Sequence, residues 1–259
     1  MAEESSVVRF ERHGEHVAVI TIDRPEARNA VSPEVTNAVE AAMDELEGDG
    51  ELRVAVLTAT PPVFCAGADL KAIRDGRRLE LSTERGGFAG FVRRQRTKPV
   101  IAAVDGPALA GGTELVLACD LVVASEAARF GLPEVERGLV AAAGGLFRLP
   151  RKLPPNLAME HVLTGEPIDV ETAHRHGLVN RVCAAGAAAE TALELAARIA
   201  ANAPIAVRES RRVMIESGAG DERGWQLSKD AAKVAAESED VQEGIKAFLE
   251  KRAPVWRGV

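Results

Sequence analysis

The chain has 259 residues, of which 46% are hydrophobic and 27% are charged, a balance that excludes an intrinsically disordered or fibrous protein. That length accommodates a sizeable core in one large domain, with or without a small appendage. The formal net charge of -7 argues against binding to bulk nucleic acid or to an anionic membrane surface.

The cysteines and the N-terminus indicate the cellular compartment. Cys65, Cys119 and Cys183 are far apart and form neither a disulfide framework nor a metal-ligand spacing. The acidic, polar N-terminus lacks the apolar stretch of a signal peptide. No run of about 18 apolar residues occurs that could span a membrane. We therefore expect a cytoplasmic protein with reduced thiols, no metal and no membrane segment.

The N-terminal part begins with a hairpin pattern followed by a helix pattern. The β-like runs 7–10 and 17–22 are joined by a short polar link, which predicts an opening hairpin. Ser32 can cap a helix, and Pro33 suits the first turn. The residues that then recur at spacings of three and four, and so define an apolar helical face, are Val35, Val39, Met43 and Leu46.

Three short apolar runs predict the centre of a sheet. Residues 54–57, 100–104 and 121–124 are continuously apolar, as strands covered on both faces are. Helix-like segments separate these runs, so strand and helix alternate along the chain. This alternation predicts an α/β fold with mostly parallel, buried strands.

From about residue 187 onward the pattern is helical only. Leu195 and Ile199 mark one amphipathic helix, and a second helix is predicted to begin near Ser238. The apolar face predicted for the second helix consists of Val241, Ile245, Phe248 and Leu249. We divide the chain into an α/β core, residues 1–195, and a C-terminal helical oligomerisation region, residues 196–259. The apolar arm 253–256 would have little to pack against on an isolated surface.

Two loops of small residues follow predicted strands. The first spans residues 64–71 and reads FCAGADLK; the second spans residues 105–114, reads DGPALAGGTE and opens a helix. Small residues let the backbone approach a ligand closely, and free N–H groups at a helix start stabilise developing negative charge. Two such loops can form an oxyanion hole with one donor from each. The residues alone leave open that both loops are only tight turns.

Two glutamates lie in apolar surroundings. Glu114 stands at the head of a helix and is followed by four apolar residues, and Glu134 closes the segment FGLPE at residues 130–134. Carboxyl groups near apolar walls have raised pKa values, and two that face each other can divide into acid and base. In the alternative interpretation, Glu114 caps its own helix and Glu134 forms a surface salt bridge.

Several separated motifs, in this order, resemble those of the crotonase (enoyl-CoA hydratase/isomerase) family over nearly the whole chain. Beside the first loop, they are KPVIAAVDG at 98–106, GGTEL at 111–115, ACDL at 118–121, FGLPE at 130–134, and AFLEKR at 247–252 with Pro254 and Trp256. The resemblance implies an α/β fold with a crotonase-like ββα spiral core and a C-terminal helical trimerisation region.

The resemblance also implies a role for each matching residue. The backbone N–H groups of Ala66 and Gly111 are expected to hold the thioester carbonyl as it becomes an enolate. Glu114 and Glu134 match the two glutamates of hydratases, which orient a water: Glu114 takes its proton as it attacks C3, and Glu134 delivers a proton to C2. Such chemistry requires no metal or redox cofactor, because coenzyme A is part of the substrate.

The resemblance further implies where the acyl-CoA lies and how the chain assembles. The residues expected to line the CoA and thioester site are Ala27, Ala66, Ala68, Asp69, Leu70 and Gly111. Phe248 and Lys251 from the C-terminal helix of a neighbouring subunit would close the site. A homotrimer is implied, often paired into a hexamer, which would give the C-terminal arm a partner.

One segment departs from the family pattern. Residues 138–145 read GLVAAAGG and lack the proline of the usual Gly-x-x-Pro-x-x-Gly-Gly, so we expect this wall of the acyl pocket to differ. The segments GGFAG at 86–90, LFRLP at 146–150 and LPP at 153–155 lean toward carnitinyl-CoA dehydratase-like members.

These features predict an enoyl-CoA hydratase, which adds water across the 2,3 double bond of a trans-2-enoyl-CoA or catalyses the reverse dehydration. The alternatives within the enzyme class are a carnitinyl-CoA-type dehydratase and an enoyl-CoA isomerase. An alternative of a different class is a non-catalytic CoA- or RNA-binding protein of the same fold. The acidic net charge and the intact glutamate pair count against it.

Overall fold

The computed structural model describes residues 6–202, 204–216, 233, 236, 237 and 239–252. The strands are β1 (Val8–His13), β2 (Val17–Ile22), β3 (Val54–Ala59), β4 (Ser82–Thr83), β5 (Gly87–Phe88), β6 (Val100–Val104), β7 (Pro107–Leu109), β8 (Leu121–Ser125), β9 (Arg129–Gly131), β10 (Ile168–Asp169) and β11 (Arg181–Cys183). The α-helices are α1 (Pro33–Gly48), α2 (Leu70–Arg74), α3 (Gly111–Ala118), α4 (Gly145–Arg148), α5 (Pro155–Thr164), α6 (Val170–Arg175), α7 (Ala188–Ala200), α8 (Pro204–Glu216) and α9 (Glu239–Glu250). Short 3-10 turns cover Pro25–Ala27, Arg78–Leu81, Pro133–Arg137 and Leu149–Arg151.

The main sheet is largely parallel, as the apolar runs predict. Its strand order is β1-β2-β3-β6-β8-β11. The β1–β2 hairpin is antiparallel, and each following pair of neighbours is parallel. The hairpin prediction is confirmed, but β1 continues through the polar residues to His13, which pairs with Val17. At the edge of a sheet, backbone pairing rather than apolar content decides where a strand ends.

The two faces of the sheet are covered by different helices. Ala55 and Leu57 of β3 lie in the same core cluster as the predicted apolar face of α1, which is confirmed together with its Ser32 cap. Val54 and Val56 point to the opposite face and pack in a cluster with α7. Because successive strand residues point to opposite faces, one continuous apolar strand supplies both clusters.

The buried stripe of α7 differs from the one predicted. Leu195 and Ile199 are only partly buried, whereas the fully buried residues are Ala188, Ala192, Ala196 and Ala200. These alanines recur every four residues and therefore form a single stripe along the helix. Their small side chains let α7 lie close to the sheet, and the larger residues flank the contact.

The C-terminal helix α9 begins where predicted, and its buried side shares only Val241 fully with the predicted apolar face. Val241, Gly244 and Ala247 are its buried residues, whereas Phe248 and Leu249 are exposed. The predicted boundary at 195/196 falls inside α7, and the predicted arm 253–256 lies outside the described residues. Within the part of the chain that the structure describes, no helix combines the length and apolarity needed to cross a membrane.

The sheet brings the two candidate loops to one edge. Strands β3 and β6 are parallel neighbours, so the loops that follow them leave the sheet at the same end. A bridge between Cys65 and Ala108 then pairs the loops with each other. Strand β9 lies parallel to β7, with Gly131 beside Leu109, and this pairing brings the segment that leads to Glu134 to the same place.

A buried ion cluster holds the far end of helix α3, which carries Glu114. The Asp120 carboxylate accepts hydrogen bonds from the Val100 N–H at 2.8 Å, from Arg211 Nε at 3.0 Å and from an Arg96 guanidinium nitrogen at 3.2 Å. Arg96 also donates to the carbonyl of Ala118, the last residue of α3. Burial alone would raise the pKa of Asp120, but the two guanidiniums and the N–H outweigh it and lower the pKa.

We expect Asp120→Asn to lower the free energy of unfolding by roughly 1–3 kcal/mol at pH 7, since charged hydrogen bonds are lost. A lowered folded-state pKa stabilises the protein above the ordinary Asp value of about 3.9, and this contribution is lost as pH falls through the folded-state pKa. Urea unfolding at fixed protein concentration should therefore show that the two proteins converge below about pH 4. Asp75→Asn, which removes an exposed partner of Arg74, is the matched control. A gap that stays constant down to acidic pH would contradict the assignment.

Candidate active site

One glycine, Gly67, allows the candidate loops to touch. A Cβ placed on Gly67 would lie 2.8 Å from the Cβ of Ala110 and 3.0 Å from the backbone nitrogen of Gly111. Gly67 also has φ +91°, a conformation that other residues rarely adopt. The first loop therefore packs directly on the start of helix α3.

The donor predicted at Ala66 is already occupied. The Ala66 N–H donates to the carbonyl of Arg28 at 3.1 Å. Val31 pairs with the next residues, because its N–H donates to Gly67 and its carbonyl accepts from Asp69. This pairing turns the Ala68 N–H away from Val31, and among the described residues the Ala68 N–H has no acceptor. The geometry therefore favours Ala68 over Ala66 as the donor of the first loop.

The backbone N–H of Gly111, the second predicted donor, lies at the start of helix α3. Gly111 is the first residue of α3, so its N–H has no intrahelical acceptor. Residue Ala110 before it has φ +52° and ψ −125°, and no side chain caps the helix. The free N–H of Gly111 thus lies beside the loop that carries the free N–H of Ala68.

The other residues predicted to line the CoA site cluster around the first loop. Ala27 ends the turn that precedes Arg28, and Leu70 opens α2. The Asp69 carboxylate caps α2 by accepting from the Lys71 N–H at 3.0 Å, and its other oxygen lies 3.4 Å from Arg24. Asp69 therefore stabilises the loop itself, and contact of these residues with CoA stays a prediction.

Glu114 is buried and held by backbone donors. Its side chain is 3% exposed, and its Oε1 accepts from the N–H groups of Ala143 at 2.7 Å and Gly145 at 2.9 Å. Both bonds reach across from residues 139–145, which form a loop between the Glu134 turn and α4. The alternative that Glu114 caps its own helix is wrong, since among the described residues its carboxylate accepts only from Ala143 and Gly145, outside α3.

Glu134 lies on the 3-10 turn Pro133–Arg137 and faces inward. Its Oε2 is buried and has no hydrogen-bond partner among the described residues. Across those same residues, none of the ion pairs includes Glu134, in contrast to the surface salt bridge that the sequence left open. A buried carboxyl oxygen without a partner is costly in a purely structural role, so its position indicates a functional one.

The surroundings raise both carboxyl pKa values. For Glu114 the main cause is burial and the second is the negative charge of Glu134, partly offset by the Gly145 and Ala143 N–H groups and by Arg148. For Glu134 the main cause is again burial, partly offset by its own N–H and by Arg137. Two carboxyls that influence each other and hold protons near neutral pH can divide into a donor and an acceptor.

The loop 139–145, which contains the departure from the family pattern, holds Glu114. Gly144 has φ +108°, and a Cβ on Gly145 would lie 2.8 Å from Leu132 Cδ1 and 3.1 Å from Glu114 Oε1. This loop therefore holds a carboxylate, a role that the sequence interpretation missed. The Gly-Gly pair was the available signal, because paired glycines permit a backbone N–H to approach another group closely.

A ring and a helix border the site. The Phe88 ring covers Gly111, since a Cβ there would lie 2.5 Å from Phe88 Cε1. Helix α9 packs on the Glu134 turn of its own chain: a Cβ on Gly244 would lie 2.0 Å from the Arg137 carbonyl oxygen, and Arg137 lies 4.9 Å from the Phe248 ring centre. Within its own chain Phe248 thus lies beside Arg137, and closure of a neighbouring subunit's site by Phe248 and Lys251 stays a prediction. Lys251, just beyond α9, has φ +55°.

Comparison with known proteins gives one consistent result. The profile of the enoyl-CoA hydratase/isomerase family matches residues 12–259. A carnitinyl-CoA dehydratase from Citrobacter koseri is 40% identical over 98% of this chain and 99% of its own length. A mevalonyl-coenzyme A hydratase from Aspergillus fumigatus is 40% identical over 93% of this chain and 92% of its own length. The crystal structure of a carnitinyl-CoA hydratase from Mycobacterium avium superposes with a TM-score of 0.93 at 48% identity and covers 98% and 99% of the two chains.

We expect Glu114→Gln to change how stability depends on pH. A raised folded-state pKa contributes stability below the ordinary Glu value of about 4.3, and that contribution is lost as pH rises through the folded-state pKa. The variant should therefore gain stability relative to the parent protein as pH increases, by at most about 1.4 kcal/mol per pH unit. Urea unfolding across the neutral range measures this difference. Glu136→Gln, an exposed change two residues past Glu134, should show no such gain, and parallel pH profiles for Glu114→Gln and the parent would refute the assignment.

Proposed function

Because this chain belongs to the enoyl-CoA hydratase/isomerase family, and has its crotonase fold, we propose that it is a hydro-lyase acting on a 2-enoyl-CoA thioester. The observation that carries the proposal is the pair of buried carboxyls beside two free backbone N–H groups. Glu114 is fixed by two donors, and Glu134 presents an unpartnered buried oxygen. An acid, a base and an oxyanion hole are what addition of water to an unsaturated thioester requires.

The N–H groups of Ala68 and Gly111 receive the thioester oxygen. Attack of water at C3 moves negative charge onto this oxygen, and two fixed donors stabilise that charge without reorganising. Both groups belong to loops that pack on each other through Gly67, so the donors are positioned before the substrate arrives. Loss of one such donor typically lowers kcat by roughly a hundredfold to a thousandfold.

The two glutamates have different surroundings and therefore different tasks. Burial raises the pKa of Glu114, but hydrogen bonds from Ala143 and Gly145 offset part of that rise and stabilise the charged form that accepts the proton of water. Both bonds fall on Oε1, so Oε2 can orient the water. The buried, unpartnered Oε2 of Glu134 favours the protonated form, which suits the group that delivers a proton to C2. Dehydration uses the same groups in the opposite protonation states.

The names of the relatives indicate which class of acyl group this site accepts. Two of the three relatives named above act on carnitinyl-CoA by name, and the third is named for mevalonyl-CoA. All three names describe acyl groups that carry a polar substituent. We therefore propose that a carnitinyl-type dehydration is the first alternative to hydration of a simple enoyl-CoA. The same groups would serve both, since dehydration reverses the steps of hydration and only the acyl group differs.

Assembly and location are further parts of the proposal. A homotrimer, or a hexamer of paired trimers, remains our prediction for the solution state, and a cytoplasmic location remains our prediction from the sequence. The exposed apolar residues Ile205, Met214 and Ile215 on α8 support assembly through the C-terminal region.

The decisive experiment follows loss of the conjugated-thioester absorbance of crotonyl-CoA. We expect Glu114→Gln and Glu134→Gln each to lower kcat by about a hundredfold to ten-thousandfold, because each removes a proton-transfer group. Glu136→Gln is the matched control and should stay within about threefold of the parent, since its side chain is exposed and lies outside the proton-transfer pair.

Carnitinyl-CoA serves as the second substrate in the same experiment. Glutamate-dependent turnover of carnitinyl-CoA, with crotonyl-CoA inert, would assign the dehydratase activity. Binding of CoA thioesters without turnover of either substrate would refute the proposal and favour the non-catalytic alternative.

A further inference from the structure

Thr113 makes an unusual set of contacts next to Glu114. Its side chain is fully buried, and its hydroxyl oxygen lies 2.6 Å from the carbonyl oxygen of Ala108 and 2.9 Å from that of Gly131. The Gly131 N–H donates to the same hydroxyl at 2.9 Å. A hydroxyl has one proton and two lone pairs, so it accepts from Gly131 and donates to one of the two carbonyls at a time.

These contacts join the three backbone segments from which the site is built. Ala108 lies three residues before Gly111, Thr113 immediately precedes Glu114, and Gly131 lies three residues before Glu134. Strands β7 and β9 separate at this point, where the ladder ends at Leu109 and Gly131. The Ala110 N–H forms the last rung of the ladder by donating to the Gly131 carbonyl at 2.8 Å, and the Thr113 hydroxyl adds side-chain contacts at the same point.

We propose that Thr113 is a positioning residue, and that its hydroxyl fixes the Glu134 segment relative to Glu114 and the Gly111 donor. The proposal rests on the proposed function, because it assigns a role in that reaction. Without the hydroxyl the buried Gly131 N–H loses its side-chain acceptor, and the Ala108 and Gly131 carbonyls lose their side-chain donor, so the Glu134 segment is held less firmly against α3.

The sequence alone does not reveal this role. Thr113 occupies a helix position where any residue of moderate size could pack, and helix periodicity gives no reason to prefer a hydroxyl. The role follows only from the pairing of β7 with β9, which places two carbonyls and one N–H around that side chain.

The test compares kcat and KM of Thr113→Val and Thr113→Ser with the parent enzyme on the substrate that it turns over. Valine keeps the shape and removes the hydroxyl, and we expect roughly a hundredfold lower kcat with KM within about threefold, as for a misplaced catalytic group. Serine keeps the hydroxyl and should retain kcat within about threefold. Thr58→Val, on β3, is the matched control, because it removes another buried hydroxyl. That hydroxyl donates to the carbonyl oxygen of Ala103 at 3.1 Å. The Thr58→Val change should leave kcat unchanged.

Several results would overturn the proposal. They are a Thr113→Val enzyme with parental kcat, an equal loss of kcat in Thr113→Ser, and an equal loss in Thr58→Val. If the valine variant does not fold, Thr113→Ala and Thr113→Ser form the replacement pair, because they differ only in the hydroxyl. Alanine should then show the loss of kcat and serine should not.

Crystal structures of the parent and the variants separate this proposal from the proposed function. The measured quantity is the distance between the carboxyl carbons of Glu114 and Glu134. We expect it to change by about 1 Å in Thr113→Val and to stay constant in Thr113→Ser. A parent protein that turns over no acyl-CoA would refute the proposed function, and this distance would still test the positioning role. An unchanged distance in Thr113→Val would refute the positioning role.

Discussion

The rest of the site depends on the burial of the Glu114 carboxylate. A charged group removed from water costs several kcal/mol unless hydrogen bonds replace its hydration. Here the replacement is the pair of N–H groups of Ala143 and Gly145, which must come within 3 Å of one oxygen. That approach requires glycine at 145, because a side chain would meet both Leu132 and the carboxylate. The conformation of the loop 139–145 is thus a consequence of burying Glu114.

The carboxyl group of Glu134 is also buried, but its surroundings differ from those of Glu114. Its buried Oε2 receives no hydrogen bond from the described residues, so fewer hydrogen bonds oppose the burial that raises the pKa of Glu134. The two carboxyls therefore differ in what surrounds them rather than in chemical type. Proximity adds to the difference, since ionisation of Glu134 opposes ionisation of Glu114. Such a pair exchanges protons with a substrate more readily than two solvated carboxylates would.

Much of the fold follows from patterns in the sequence. The apolar runs identified β3, β6 and β8 within two residues, and Ser32 and the periodic apolar residues identified α1. Burial of Glu114 could be predicted from its apolar neighbours. The choice between Ala66 and Ala68 could not, because it depends on which way each peptide plane faces when Val31 pairs with the loop. That pairing joins residues more than thirty positions apart, beyond the reach of local patterns.

The buried face of the C-terminal helix α9 could not be predicted from periodicity, for a related reason. Periodicity favoured its large apolar residues as the buried face, yet the helix packs through Gly244, where only a hydrogen atom fits against the Arg137 carbonyl. Small residues give weak hydrophobic signals but allow the closest backbone contact, as the alanine stripe of α7 also shows.

This close contact gives the two glutamates different kinds of support. Glu114 lies on helix α3, which the core encloses. Asp120 and Arg96 hold the far end of that helix. Glu134 stands on a short turn that α9 backs from outside. Displacement of α9 would therefore remove the support of Glu134, the proposed proton donor, and leave Glu114 and the two candidate loops in place. The C-terminal region thus bears on proton delivery more directly than on the binding of the thioester.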